Sequence, residues 1–220
     1  MNTKHFSRMS LLPLVTVLAI FSAPAASAAA FQNGSFESFD SGAANVYCTG
    51  GIDFCGQYNA GNSGITGWTI GGSSVDVVGV VGWTASNGAW SIDLSGVDAG
   101  SLSQNFDTVA GTSYQVTFDL GGNFLGGSGI KTGSVSAAGS SQSLSFDNAT
   151  STATNMGWTH QSFTFVATGT STVLSFASTT GGDAGIALDN ITITPVPEPE
   201  TYALMLAGLG LVGFAARRRA

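Results

Sequence analysis

Basic residues are scarce in this sequence, and their positions sharpen the scarcity. The 220 residues contain 6 Lys and Arg against 13 Asp and Glu. Between residues 31 and 195 the only basic residue is Lys131, and it stands against eleven acids, a formal charge of minus ten (one minus eleven). Phosphate recognition needs clustered Lys or Arg, so the composition disfavours nucleic acid and acidic polymers as direct partners. Neutral glycans or cations suit this stretch better.

Histidine is rare as well, and no Gly-x-Ser-x-Gly nucleophile motif occurs. His160, the only histidine between residues 31 and 195, lies at the start of a strand-like run. We interpret it as a solvent-facing strand residue and not as a catalytic base. The acids could supply a glycosidase pair, but nothing in the sequence places one pair above the others. The sequence therefore predicts a protein that is not an enzyme, with a polysaccharide-acting enzyme as the alternative.

Helical periodicity is missing from the region between the chain ends. This region is instead rich in Gly, Ser and Thr, and apolar and polar residues alternate over 114–120, 161–166, 172–176 and 187–193. Such alternation, bounded by Gly, Asn and Asp turn residues, is typical of half-buried strands. About ten short strands in one domain predict an all-β sandwich over residues 31–195.

Long apolar runs occur only near the two chain ends. Lys4 and Arg8 precede an apolar run over 11–21, and small residues follow at 26–30. Basic residues, a short apolar run and small residues in this order are typical of a secretory signal peptide. We expect residues 1–30 to be removed by signal peptidase and the rest to be exported.

The second apolar run lies at the C-terminal end, over about residues 202–216. Its length lies between that of a core helix and that of a full membrane span. It is apolar all round, unlike the amphipathic helices of a protein core. A Pro-Glu-Pro segment precedes it and three arginines follow it, which the positive-inside bias would hold in the cytoplasm. These flanking residues are Pro197, Glu198, Pro199, Arg217, Arg218 and Arg219.

This tripartite order resembles the PEP-CTERM tails that exosortases recognise and remove in Gram-negative bacteria making exopolysaccharide. The resemblance implies that residues 196–220 are a sorting signal containing one hydrophobic transmembrane helix. It also implies transient anchoring in the inner membrane, followed by release to the cell surface or the extracellular biofilm matrix. A plain single-span anchor and a buried C-terminal helix are the alternatives.

Cysteine is limited to two residues, Cys48 and Cys55, with Thr49, Gly50 and Gly51 among the residues between them. An oxidising compartment favours a disulfide between them. Such a short loop contributes at most about 2 to 3 kcal/mol, so the bond would pin a loop and not hold up the fold. A redox pair or a metal site is the functional alternative.

Several short motifs are spread over most of residues 31–195. They are Asn33-Gly34-Ser35-Phe36-Glu37, Gly67-Trp68-Thr69-Ile70, Val75-Asp76-Val77, Trp90-Ser91-Ile92-Asp93-Leu94, Gln104-Asn105-Phe106, Met156-Gly157-Trp158 and Leu188-Asp189-Asn190-Ile191. Together they resemble the choice-of-anchor C family and are similar to a domain of unknown function found in plant cell-wall proteins. More distantly they resemble galactose-binding-like carbohydrate-binding modules. The resemblance implies a jelly-roll β-sandwich, from which the insertion over residues 47–58 departs.

The same resemblance implies a structural calcium ion. In the related modules, a glutamate after an Asn-Gly-x-Phe start and an aspartate in the last strand often flank Ca²⁺. The matching residues here are Glu37 and Asp189. Calcium takes six to eight oxygen ligands, which two carboxylates and backbone carbonyls could supply in large part. The alternative is that both are turn or surface acids.

Sugar binding needs an aromatic surface for the ring and a few polar groups for its hydroxyls. Four aromatic residues lie in or beside Gly, Asn and Ser loops and are the candidates: Tyr47, Tyr58, Trp83 and Trp90. Trp68 and Trp158 lie in strand-like context and are expected in the core. Buried aromatics are commoner than ligand platforms, so burial is the alternative for each candidate.

The sequence favours a non-enzymatic, exosortase-sorted surface or matrix protein that binds a neutral glycan such as exopolysaccharide. An enzyme acting on that polysaccharide and a purely structural surface protein are the two alternatives. An exposed aromatic platform would favour binding, and a cleft with two facing carboxylates would favour catalysis.

Overall fold

The computed structural model describes residues 30–48, 51, 54–197, 207, 209, 217 and 218. This part of the chain contains a short 3-10 helix, Ser41–Ala43, and twelve strands. The strands are β1 (Val46–Tyr47), β2 (Cys55–Asn59), β3 (Thr69–Gly72), β4 (Ser74–Gly79), β5 (Trp90–Asp93), β6 (Gly100–Asp107), β7 (Ser113–Gly122), β8 (Ile130–Ala137), β9 (Ser140–Asp147), β10 (Thr159–Val166), β11 (Ser171–Ser178) and β12 (Ile186–Pro195).

The strands form two antiparallel sheets. One has seven strands in the order β1-β2-β4-β5-β12-β7-β10, and the other has five in the order β3-β6-β11-β8-β9. Neighbours in the sheets are often far apart in sequence, because the chain crosses repeatedly from one sheet to the other. This is a jelly-roll β-sandwich, and it confirms the all-β prediction.

The main core lies between the sheets and follows from side-chain alternation. On β7, Val116, Phe118 and Leu120 are buried, and the residues between them face outward. Strand β10 pairs with β7 in a register that places Phe163 beside Val116. Phe118 then meets Phe176 of the opposite sheet edge to face, with ring centroids 5.1 Å apart. Such interdigitation is how two stacked sheets exclude water.

A second, smaller apolar cluster covers the outer face of the seven-stranded sheet. It contains Cys55, Val78, Trp83, Met156 and Ala187, of which Trp83 and Met156 come from loops. Strand β4 is consequently buried at all six positions. The central part of this sheet is thus covered on both faces, and its outward side chains are shielded from water.

Nearly all of the predicted signal peptide and of the predicted C-terminal helix lies outside the described residues. So do Glu198, Pro199 and Arg219 of the sorting motif. Within the part of the chain that the structure describes, no helix is long and apolar enough to cross a membrane.

The N-terminal segment is joined to the last strand at Gly34. Ile191 donates its backbone N–H to the Gly34 carbonyl at 2.9 Å. A Cβ atom on Gly34 would overlap the carbonyl oxygen of Ile191. Backbone atoms in a paired strand cannot move aside cheaply, so this close approach needs glycine.

We therefore expect Gly34→Ala to lower the free energy of unfolding by about 1 to 3 kcal/mol, the usual cost of overpacking. Gly169→Ala is the matched control, because its Cβ would meet the Ser171 carbonyl oxygen at an ordinary contact distance of 3.8 Å. Denaturant unfolding of both variants measures the difference. Equal stability of the two variants would contradict the packing argument.

Candidate functional site

A groove of about 470 Å³ lies on the outer face of the seven-stranded sheet. Four polar side chains line it, those of Gln57, Asp76, Asn123 and Asp183. Its apolar walls come from Phe54, Val78, Trp83, Leu125 and the two cysteines. Polar groups facing apolar walls in one concave site are the usual composition of a small-ligand site.

Strand alternation points the polar groups into the groove. Val75 and Val77 of β4 enter the main core, so Asp76 between them faces outward. Asp76 pairs with Gln57 on β2 and with Asp93 on β5. The groove floor is therefore built from the side chains of Gln57 and Asp76 on two neighbouring strands, with Asp93 next to them on the third.

Asp76 is the least satisfied polar group of this floor. It is only 8% exposed, and its Oδ1 atom has no hydrogen-bond partner among the described residues. Its Oδ2 atom lies 3.7 Å from each sulfur of Cys48 and Cys55. These sulfurs are joined in a disulfide and carry no proton to donate. Burial raises the pKa of Asp76 to about 7, and the negative charge of Asp183 adds to the shift.

Asp93 on β5 lies beside Asp76 and, although it does not line the groove, it holds Asn123, which does. It is fully buried, and its Oδ2 atom accepts a 2.6 Å hydrogen bond from Asn123 Nδ2. Its Oδ1 atom accepts the backbone N–H groups of Ser95 and Gly185. Burial raises the pKa of Asp93 to about 8 in spite of these bonds. Asn123 in turn accepts the N–H of Leu125, which fixes the apolar rim.

The disulfide predicted between Cys48 and Cys55 is confirmed. It lies in the groove wall, so the insertion over residues 47–58 contributes to the site. The two sulfurs and Asp76 form the one group of three or more acidic, cysteine or histidine ligands found close together in the described residues. Because both sulfurs are bonded to each other, this group does not supply two thiolate ligands for a metal.

The calcium prediction gains no support from the placement of Glu37 and Asp189. Glu37 Oε1 accepts the N–H groups of Ala89 and Trp90, and Asp189 Oδ2 accepts that of Asn87. Asp189 Oδ1 accepts the N–H of the next residue, Asn190. Three of the four carboxylate oxygens thus bind backbone donors, so both acids anchor the loop before β5. Calcium at this pair stays a prediction.

His160 lies on the outer face beside a third carboxylate, Asp119. Its side chain is 64% exposed, as expected for a solvent-facing strand residue, and its Nδ1 atom is 2.9 Å from Asp119 Oδ1. Asp119 Oδ2 accepts from Ser86 and Asn190. Burial raises the pKa of Asp119, but these three hydrogen-bond partners outweigh burial and leave it lowered. Ser86 donates its hydroxyl to the Asp119 carboxylate and not to the His160 imidazole. Ser86, Asp119 and His160 therefore do not form a nucleophile activated by a histidine base.

Two of the aromatic candidates follow the alternative of burial. Trp83 is 1% exposed and donates to Ser91 Oγ at 2.8 Å, and Tyr58 is fully buried and donates to the Asp40 carbonyl. Trp83 folds back over the outer face of the sheet and Tyr58 points into the main core, so neither ring is exposed. Trp83 still contributes one edge to the groove wall.

The other tryptophans and Tyr47 lie elsewhere. Trp90 is half-buried at the core margin, edge to face with Phe39 at 4.8 Å. Tyr47 is 51% exposed on β1 but is not part of the groove. Trp68 is in the core, as expected, whereas Trp158 is half-buried on the outer face and donates to the Thr84 carbonyl.

Sequence reasoning missed the groove itself. Asp76, Gln57, Asn123 and Asp183 were not singled out, nor was Phe54. The available signal was the Val75-Asp76-Val77 alternation, which places an acid opposite two core valines. Nothing local showed that distant loops cover this face and turn an exposed acid into a buried one.

Fold and groove together define a single-domain β-sandwich of the jelly-roll class with one concave site on its larger sheet. The chain belongs to the family described as protein of unknown function DUF642, whose family model matches residues 29–194. Residues 195–219 match the PEP-CTERM protein-sorting motif, which confirms the resemblance of the C-terminal tail. Membership of the choice-of-anchor C family is compatible with these matches and stays a prediction.

Individual relatives are more distant. The chain is 34% identical over 174 residues to halomucin of Haloquadratum walsbyi, a match that covers 76% of this chain and 2% of halomucin. A solved structure of TmCBM61 in complex with β-1,4-galactotriose is 21% identical, with a TM-score of 0.42, over 59% of this chain and 88% of that one. A family 35 carbohydrate-binding module from Clostridium thermocellum is 14% identical, with a TM-score of 0.43, over 64% of this chain and 98% of that one.

The raised pKa of Asp76 predicts a pH-dependent stability. Above about pH 4 the unfolded chain ionises Asp76 while the folded protein keeps it protonated, so the folded state loses stability until about pH 7. Asn cannot ionise and escapes this loss. We expect Asp76→Asn to raise the free energy of unfolding by about 2 to 4 kcal/mol at pH 8 and to change it little at pH 4.

Denaturant unfolding at the two pH values measures this effect. Asp98→Asn is the control, because backbone N–H groups of Ala99 and Gly182 lower the pKa of Asp98 and its removal should not stabilise the fold at pH 8. If the free energy of unfolding changes equally between pH 4 and pH 8 in wild type and in Asp76→Asn, Asp76 is not held in a desolvated site.

Proposed function

We propose that this protein is an exported, non-catalytic carbohydrate-binding protein and that the groove on its seven-stranded sheet is the binding site. One observation carries the proposal: buried polar groups and apolar walls converge in a single cavity of about 470 Å³. A sugar ring offers hydroxyls to the polar groups and C–H faces to the apolar walls.

Each side of the groove has a distinct task in this proposal. The carboxylates of Asp76 and Asp183 accept hydrogen bonds from sugar hydroxyls, and the side-chain amide of Gln57 can donate or accept them. Phe54 is half-buried and Leu125 is 52% exposed, so both can give apolar surface to a ring. Trp83 supports the wall from behind through its place in the outer cluster.

An enzyme acting on polysaccharide is the second candidate, because Asp76 and Asp183 both line the groove. The raised pKa of Asp76 would suit a general acid. Release of reducing sugar from a bound polysaccharide would favour this candidate over simple binding. A protein that binds no saccharide would be a structural surface protein.

The PEP-CTERM motif indicates export and sorting to the cell surface. We further propose that signal peptidase removes residues 1–30 and that an exosortase of a Gram-negative bacterium cleaves the tail after transient anchoring in the inner membrane. The domain would then reside at the cell surface or in a biofilm matrix, beside exopolysaccharide.

The groove predicts which aromatic side chain matters for binding. Phe54→Ala removes an apolar wall and should weaken saccharide binding about tenfold or more, the cost of losing one good apolar contact. Tyr47→Ala is the matched control, because Tyr47 is an exposed aromatic outside the groove. Binding to a glycan array and calorimetry with the best glycan measure both. Loss of binding in Tyr47→Ala but not in Phe54→Ala would indicate that the binding site lies at β1 and not in the groove.

Processing predicts the mass of the native protein. Protein isolated from the surface or medium of its own cells should lack both residues 11–21 and residues 204–219. Intact-mass measurement tests this. A native protein that keeps the C-terminal run would make the tail a permanent anchor, whatever the domain binds.

A further inference from the structure

We infer that the groove selects a saccharide carrying a protonated amino group, and that this group binds at Asp76. The inference rests on the proposed function and deepens it by naming the ligand class. It begins from a carboxylate that the fold buries, points into the groove and leaves without a hydrogen-bond donor among the described residues.

The charges around Asp76 are all of one sign. Asp183 lines the same groove, and Asp93 lies beside Asp76 on the neighbouring strand. Among the described residues that line the groove there is no Lys or Arg. Buried carboxylates normally lie beside a cation or a set of hydrogen-bond donors. Asp93 has such donors, whereas Asp76 Oδ1 has no donor among the described residues.

A ligand ammonium fits this deficit better than the other groups that sugars carry. An ammonium carries a positive charge and three N–H donors on one nitrogen, whereas a hydroxyl offers one donor and no charge. A uronic acid would bring a third negative charge next to Asp76 and Asp183 and would be repelled. The groove should therefore rank amino sugars above neutral sugars, and neutral sugars above uronates.

The unpartnered oxygen lies close to a glycine that lines the groove. Gly96 lines the groove, and a Cβ atom there would lie 2.7 Å from Asp76 Oδ1. Gly96 does not have a positive φ, so its backbone does not require glycine. Oδ1 itself is buried, so an ammonium in the groove reaches it only if the Asp76 side chain turns slightly, and a methyl group at position 96 would obstruct that movement.

Binding of an ammonium should be coupled to the charge of Asp76. The groups that face Asp76 are Gln57 on β2, Asp93 on β5, Asp183 in the groove wall and the disulfide, which does not titrate. Ion pairing favours the ionised form, so ligand binding should release a proton below about pH 7. Affinity for an amino sugar should fall as the pH drops from 7 to 5.

The test uses the full-length protein and an array of oligosaccharide pairs, each spotted as the free amine and as its N-acetylated form, with neutral and uronate oligomers beside them. We expect the free amine to bind about tenfold or more tightly than its N-acetylated partner at pH 7. Asp76→Asn should lose this preference, while remaining at least as stable as wild type. Asp107→Asn removes one carboxylate from β6 of the opposite sheet and should keep the preference within about twofold.

The outcomes separate the inference from the proposed function. Equal binding of amine and N-acetylated forms, or a preference that survives in Asp76→Asn, overturns the inference and leaves carbohydrate binding intact. Sugar binding that Phe54→Ala does not weaken overturns the groove as the site. A protein that binds no saccharide on the array overturns both. A second variant, Gly96→Ala, should weaken amine binding because its Cβ atom would crowd Asp76 Oδ1, and full binding by this variant also counts against the inference.

Discussion

Coverage of the seven-stranded sheet on both faces is the constraint on which the site depends. A sheet with one face in water would leave Asp76 and Asp93 as ordinary hydrated acids on its outer side. Here Trp83, Met156 and the disulfide cover part of that face, so the acids meet a low dielectric without leaving the sheet. Their raised pKa values and the unsatisfied oxygen in the groove both follow from this cover.

Much of the fold could be predicted because many strands have one buried face and one solvent-exposed face. Strands β7, β10, β11 and β12 contain the alternating runs found in the sequence, and each has its apolar set in the main core. Strand β4 is different, because burial at all six positions removes the polar face on which that reasoning depends. The disulfide was predictable from compartment and spacing alone.

The candidate site could not be predicted to the same degree, since its parts meet only after folding. Trp83 joins a cluster with Met156 and Ala187, residues more than seventy positions away. A Gly-rich context around Trp83 is compatible with an exposed loop and with a loop folded onto the sheet. Likewise, the pairing of Glu37 with the loop before β5 depends on a contact between segments about fifty residues apart. Sequence patterns describe neighbours along the chain and carry little information about such contacts.

The position of the last strand has a consequence for the order of events during export. Strand β12 ends at Pro195, immediately before the sorting tail, yet it lies inside the seven-stranded sheet between β5 and β7. The chain is delivered from its N-terminus, so neither β5 nor β7 finds this neighbour until the final exported residues emerge. Under the proposed transient anchoring, the apolar run of the tail would by then have reached the membrane. On that proposal, completion of the sheet and arrival of the tail would be nearly simultaneous. The domain would then close while still tethered, and it would spend little time as a detached, half-paired chain that could aggregate.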